Sequence, residues 1–153
     1  MHSKIFQISE KPIKKENYAL ESDYDDNFIG HIADYVIEQE DDERKDDIKQ
    51  LANLLEDSAK IRGNKITILS KEKYFEKKYE WFIKAAKKVA IMTFNDFITD
   101  VGGKDLYALN SYHSYKYGFY VDEKGYPITL DDFFRNVKDG DTYYIGATFD
   151  YHY

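Results

Sequence analysis

Four histidines, fifteen tyrosines and no cysteine limit the chemistry this chain can do. Without a thiol there is no disulfide, no thiolate nucleophile and no cysteine-ligated zinc. Imidazole and carboxylate remain as the groups that hold a transition metal or move a proton. His31 and Asp34 lie three apart, a spacing that lets them meet on a helix. With His113 and His152 they would supply three imidazoles and a carboxylate, but no spacing joins the segments that carry them. Solvated or locally hydrogen-bonded histidines are the simpler expectation, and neither a metal nor a cofactor is expected.

No other group of residues makes a stronger case. His113 and Ser114 are neighbours, so on a strand their side chains point to opposite faces. Ser111 shares a face with His113, yet two residues along a strand is too far for a direct hydrogen bond between short side chains. No nucleophile elbow, phosphate loop, dinucleotide fingerprint or H-E-x-x-H is present. Asp23, Asp25 and Asn27 fill the first, third and fifth positions of a calcium loop. Phe28 then replaces the glycine that turns such a loop, and Asp34 replaces the closing glutamate. Lys73, Lys77, Lys84 and Lys88 form a stripe that, beside aromatic residues, imitates a single-strand nucleic-acid platform. Residues 89–153 nevertheless carry ten acids against five basic residues, with Arg135 the one arginine, so nucleic acid is disfavoured.

Charge and aromatic content are segregated along the chain. Residues 21–57 hold fourteen Asp and Glu against three Lys and Arg, whereas residues 60–88 hold ten basic residues against three acids. Two such blocks read as solvated helical faces that partly neutralise each other, or as an acidic surface that steers a basic partner. Ten of the fifteen tyrosines fall between Tyr107 and Tyr153. A tyrosine-rich sheet serves as core wall on one parity and as contact surface on the other. Tyr117 and Tyr143 are expected inward. Tyr112, Tyr120 and Tyr144 are expected to form an exposed patch of the kind where interface hot spots concentrate.

These groups must be held by elements that the apolar spacing suggests. Residues 4–9 read as a short strand ended by Pro12. Phe28, Ile32, Tyr35 and Val36 follow a helical spacing behind the capping types Asp25, Asp26 and Asn27. A second helix is predicted over residues 42–60, with Ile48, Leu51, Ala52, Leu55 and Ala59 inward and Gly63 as its left-handed C-cap. Residues 65–69 read as a strand. A third helix starts near Lys71 and carries Phe75, Tyr79, Phe82, Ala86, Val89 and Ala90 inward. It either runs on to Gly102-Gly103 or breaks near Thr93 to Asn95. Beyond it, Tyr117, Phe119 and Val121 share a face, and Asp122-Glu123-Lys124-Gly125 fits a hairpin turn. Pro127 places the return strand at a sheet edge or ends it early, and Thr129 with Asp132 opens a two-turn helix bearing Leu130, Phe133, Phe134 and Val137. Asp139-Gly140-Asp141 leads into a final strand in which Tyr143, Ile145, Ala147, Phe149 and Tyr151 alternate with polar residues.

The resulting expectation is a single α+β domain over residues 1–153. About three helices in residues 26–100 would pack on a mainly antiparallel, tyrosine-rich sheet from residues 106–153, with short strands near 4–9 and 65–69. The functional expectation is a non-enzymatic, cytoplasmic interaction module, such as a small inhibitor, immunity-type or accessory factor. It would meet a protein partner, a basic one by charge, through Asp41, Asp42, Asp46 and Asp47 and through Tyr112, Tyr120 and Tyr144. No membrane partner is expected, and a homodimer stays open. The alternative is an enzyme or small-molecule binder with a cleft between the sheet and the long helix.

Overall fold

A computed structural model describes residues 2–25, 28–99, 103, 106, 107, 109 and 118–153, with Lys77 described in its backbone only. In chain order the strands are β1 (His2–Ser9), β2 (Tyr35–Glu38), β3 (Ala59–Arg62), β4 (Lys65–Ile68), β5 (Tyr120–Asp122), β6 (Pro127–Thr129) and β7 (Thr142–His152). The helices are α1 (Asp41–Leu54), α2 (Lys71–Ala90), α3 (Phe94–Ile98) and α4 (Leu130–Asn136). Short 3₁₀ turns occupy Lys15–Asn17 and Glu21–Tyr24. The class is α+β, as expected. The chain divides into two compact units, residues 1–71 with 115–153 and residues 72–114.

All seven strands lie in the first unit, in the order β3-β4-β7-β1-β5-β6, with β2 paired to the far end of β7. The β1–β5 pair is parallel and the other pairs are antiparallel. The sheet therefore draws more on the first seventy residues than the tyrosine count suggests. β1 lies at its centre, between β5 and β7.

A bulge in β7 decides which side chains share a face. Across β1 and β7, Ile5 pairs with Phe149 and Phe6 with Thr148, but Ile8 pairs with Ile145. Cross-strand partners share a face, as do Phe6 and Ile8, so Thr148 and Ile145 lie on the same side. The expected single face from Tyr143 to Tyr151 is thus split, because Gly146 and Ala147 together oppose Gln7. One core, around Ile5, Ala147, Phe149 and Tyr151, is covered by Tyr24, Phe28, Ala33 and Val36. The opposite face carries Phe6, Ile8, Ile145 and Tyr143. There α1 reaches Thr148 through Asp47, and Phe133 of α4 packs its ring 5.0 Å from that of Tyr143.

Residues 28–36 do not form the expected helix. Gly30 adopts φ +83, Ile29 bridges to Ala33, and β2 begins at Tyr35. A positive φ breaks helical hydrogen bonding, and pairing with the open edge of β7 outweighs a marginal local helix. Phe28 and Val36 are buried as the spacing implied, but Tyr35 faces outward. The second helix also ends early. Leu55 closes α1, Ser58 and Ala59 both donate backbone N–H groups to the Leu55 carbonyl, and Ala59 opens β3. Gly63 has φ +59 in the two-residue turn between Arg62 and Lys65, not at a helix end.

Several turn assignments hold. Asp122 Oδ1 accepts the backbone N–H groups of Lys124, Gly125 and Tyr126 at 3.0, 2.6 and 2.9 Å. Gly125 sits at φ +79, and Pro127 lies in β6 at one edge of the sheet. Thr129 caps α4 by accepting the Asp132 N–H at 3.1 Å.

In the second unit the long helix breaks where Thr93 caps α3. Its hydroxyl accepts the Asp96 N–H at 3.1 Å, and Asp96 accepts the Thr93 N–H at 3.0 Å. Along α2, Ala85 is buried and Phe75, Phe82, Ala86 and Val89 are half-buried, whereas Tyr79 and Ala90 are exposed.

Candidate functional site

The β7 bulge forms the floor of a cleft of about 480 Å³. A bulge leaves backbone groups without ladder partners, and here two side chains satisfy them. Gln7 Oε1 accepts the N–H groups of Ala147 and Ala19 at 3.0 and 3.1 Å, while its Nε2 donates to the Asn17 carbonyl at 3.1 Å. Arg44, on the first turns of α1, donates Nε to the Gly146 carbonyl at 2.5 Å and a terminal nitrogen to the Ile145 carbonyl at 2.9 Å. Its guanidinium also lies 5.4 Å from the centre of the Tyr18 ring. Gly146 is needed for space: an added Cβ would overlap the Gln7 carboxamide and come within 2.9 Å of Ile13 Cδ1.

Around this floor stand Lys15 and Tyr18, the Glu38-Gln39-Glu40 link from β2, and Asp41, Asp42 and Arg44 of α1. Four carboxylates thus face two cations. Lys15 meets Asp41 at 2.9 Å. The hydrogen bond from Lys15, and then its charge, holds the Asp41 carboxyl below its ordinary value. Asp42 meets Lys45 at 2.8 Å and Asp46 meets Lys49 at 2.7 Å, each pair one helical turn apart on the exposed side of α1. The Glu43 carboxylate accepts the Glu40 N–H at 3.1 Å and closes the start of the helix.

Of the residues expected to bind a partner, Asp41 and Asp42 line this cleft, and Asp46 lies exposed farther along α1. Asp47 must be corrected. It is 3% exposed, pairs with Lys4 at 3.0 Å and accepts the Thr148 hydroxyl at 2.9 Å. The helix turns Asp47, with Ile48 and Leu51, toward the sheet, so this carboxylate is interior. Burial pulls the Lys4 ammonium down, but hydrogen bonds and charges from Asp47 and Asp150 outweigh it and hold it above its ordinary value.

Tyr120 needs the same correction. The parallel β1–β5 pair sets it beside Ile5, where it is 1% exposed with its ring 5.0 Å from Phe28 and 5.7 Å from Tyr151. Tyr144 is half-buried, with the Lys65 ammonium 5.9 Å from its ring centre. Tyr112, Tyr117 and His113 lie outside the described residues, so of the expected patch Tyr120 is interior and Tyr144 half-buried. Spacing gave no signal for Lys15, Tyr18, Glu38, Gln39, Glu40 or Arg44 as one site. The single arginine within the acidic block was the available hint.

The histidines arrange differently from any sequence spacing. Asp34 pairs with His152 at 3.1 Å, and His2 pairs with Asp150 at 2.5 Å. Asp23 accepts the Leu20 N–H at 2.8 Å as part of a 3₁₀ turn. Among the described residues no group of three or more His, Asp and Glu side chains is arranged to hold a metal ion. Comparison with known proteins finds no matching family model, no matching curated protein and no matching solved structure.

Proposed function

We propose that this protein is a non-enzymatic interaction module that takes a basic segment of a protein partner into the cleft beside α1. The supporting observation is that cleft, in which carboxylates of Glu38, Glu40, Asp41 and Asp42 rim a floor fixed by Gln7 and Arg44. A floor held by internal hydrogen bonds needs little reordering on binding, which lowers the cost of association. An acidic rim accelerates encounter with a basic surface and rejects an acidic one. Strand addition is a poorer route. The N–H of Glu38, on the outer edge of β2, donates to the Glu21 carboxylate at 2.8 Å, β6 carries Pro127, and β3 exposes Lys60 and Arg62. Such a module suits a small inhibitor, immunity-type or accessory factor. The absence of cysteine supports a reducing, cytoplasmic setting. No described helix is long and apolar enough to cross a membrane.

The test is titration of the isotope-labelled protein with a short Lys- and Arg-rich peptide, followed by amide shifts at low and high salt. The expected result is shifts centred on residues 38–44 that shrink as salt rises, and that weaken in Glu40→Gln/Asp42→Asn. Shifts spread evenly over the acidic surface, or unaffected by that double variant, would overturn the reading. The volume also suits a small cationic ligand. Shifts at the same residues with free arginine but not with the peptide would favour that second reading.

A further inference from the structure

We propose that the end of α2 and the short helix α3 dock on the surface of an anionic phospholipid bilayer. The proposal starts from an apolar face left to solvent. Phe94, Phe97 and Ile98 recur at the spacing that puts them on one side of α3, and they are 80%, 71% and 64% exposed. α3 buries none of its residues, whereas α1 and α4 each bury three. A helix of five residues is not held by propensity alone, so α3 lacks the packing that ordinarily sustains one. At about 200 Å² for an aromatic side chain, the two phenylalanines already present about 300 Å². Patches of that size and above mark interaction sites.

Ile91 adds to this run from the end of α2. Its N–H bonds the Lys87 carbonyl at 3.2 Å, so the helical turn carries through it, and its side chain is 79% exposed. One and two turns back on the same side stand Lys87 and Lys84, both exposed.

The charge beside the face selects its occupant. α2 carries seven Lys against three Glu, and Lys87 and Lys88 lie in its last turn. Lysines next to Ile and Phe suit an anionic bilayer: the ammonium groups meet lipid phosphates while the apolar side chains enter about 5–10 Å into the headgroup and acyl boundary. The net charge of −7 opposes this weakly, because salt screens charges beyond about 8 Å and the charge at the docking end decides. A nucleic acid would answer the lysines but offers no apolar layer to Ile91, Phe94, Phe97 and Ile98. Pairing two copies through this face would gather both sets of lysines at one interface. Docking is peripheral, since no described helix is long and apolar enough to cross a membrane, and it departs from the sequence expectation of no membrane partner.

Flotation of the full chain with lipid vesicles tests the proposal. Vesicles of phosphatidylcholine with phosphatidylserine should carry the protein, vesicles of phosphatidylcholine alone should not, and binding should fall as salt rises. Phe94→Ser/Phe97→Ser should abolish binding, and Lys84→Gln/Lys87→Gln should weaken it by about thirtyfold. All four side chains are exposed, so both variants should melt with the parent. No flotation with the anionic vesicles, or equal flotation of the parent and the lysine variant, would overturn the proposal. A concentration-dependent dimer in lipid-free solution that the phenylalanine variant abolishes would do the same, by giving the face to a second copy. None of these results bears on the acidic cleft, which belongs to the other unit.

Discussion

Asp46 and Asp47 are adjacent in the chain, but one is a solvated ion and the other a buried one. Asp46 shares its charge with Lys49 in water, where such pairs are worth little. Asp47 is bound by Lys4 and by the Thr148 hydroxyl, so its removal leaves that buried hydroxyl without its acceptor and the Lys4 ammonium with Asp150 and Gln39 in place of three partners. Asp47→Ala should therefore cost about 2 kcal/mol in denaturant unfolding, while Asp46→Ala stays within about 0.5 kcal/mol. Thr148→Val should cost about 1 kcal/mol, and much less in an Asp47→Ala background, since the two share one hydrogen bond. Equal effects from the two aspartates would contradict the buried pairing. Gly146→Ala should destabilise by about 1–3 kcal/mol because the new methyl meets Gln7 and Ile13 in a packed place. A Gln7→Ala background should relieve part of that cost.

At the scale of elements, caps were legible and conformations set by pairing were not. Thr129 with Asp132 is a local signal, and it fixed the start of α4. The like pair Thr93 and Asp96 decides the break between α2 and α3. Hydrogen bonds from Thr93, first from its side chain and then from its backbone, hold the Asp96 carboxyl below its ordinary value. A depressed folded value means that the contribution is complete above the unfolded carboxylate range and lost as pH falls through the folded value. Acidification should therefore fray α3 before the sheet, seen as faster amide exchange at residues 96–99. Loss of protection in the sheet first would contradict it. The long strand β7 was read correctly as a strand and incorrectly as having one face. Phe149→Ala should still cost about 3–5 kcal/mol, since Phe149 is fully buried among Tyr24, Ile5 and Tyr151.

In the unit that carries the sheet, the described core forms two apolar layers, one on each face, and the chain has no thiol to crosslink them. The melting temperature should accordingly be the same in EDTA as in metal-free buffer. A sharp fall on chelation would show that an ion holds the fold itself.

Composition and local pattern determined the α+β class, the helix starts at Thr129 and near Lys71, the turns at Gly125 and Gly140, and the edge placement of Pro127. These depend on hydrogen bonds and dihedral preferences within a few residues, which any sequence window contains. The bulge at Gly146 and Ala147, the burial of Asp47 and Tyr120, the strand at residues 35–38 and the meeting of His2 with His152 were decided only in three dimensions. Each depends on partners more than a hundred residues away along the chain. His2 finds His152, Thr148 finds Asp47, Tyr120 finds Ile5, and Val36 pairs with Tyr151. A side-chain period of two assigns faces only while the register is unbroken. One extra residue in β7 moved half of the strand to the other face; Gly146 inside the strand is a local hint of a bulge, but which residues change face depends on the register with β1.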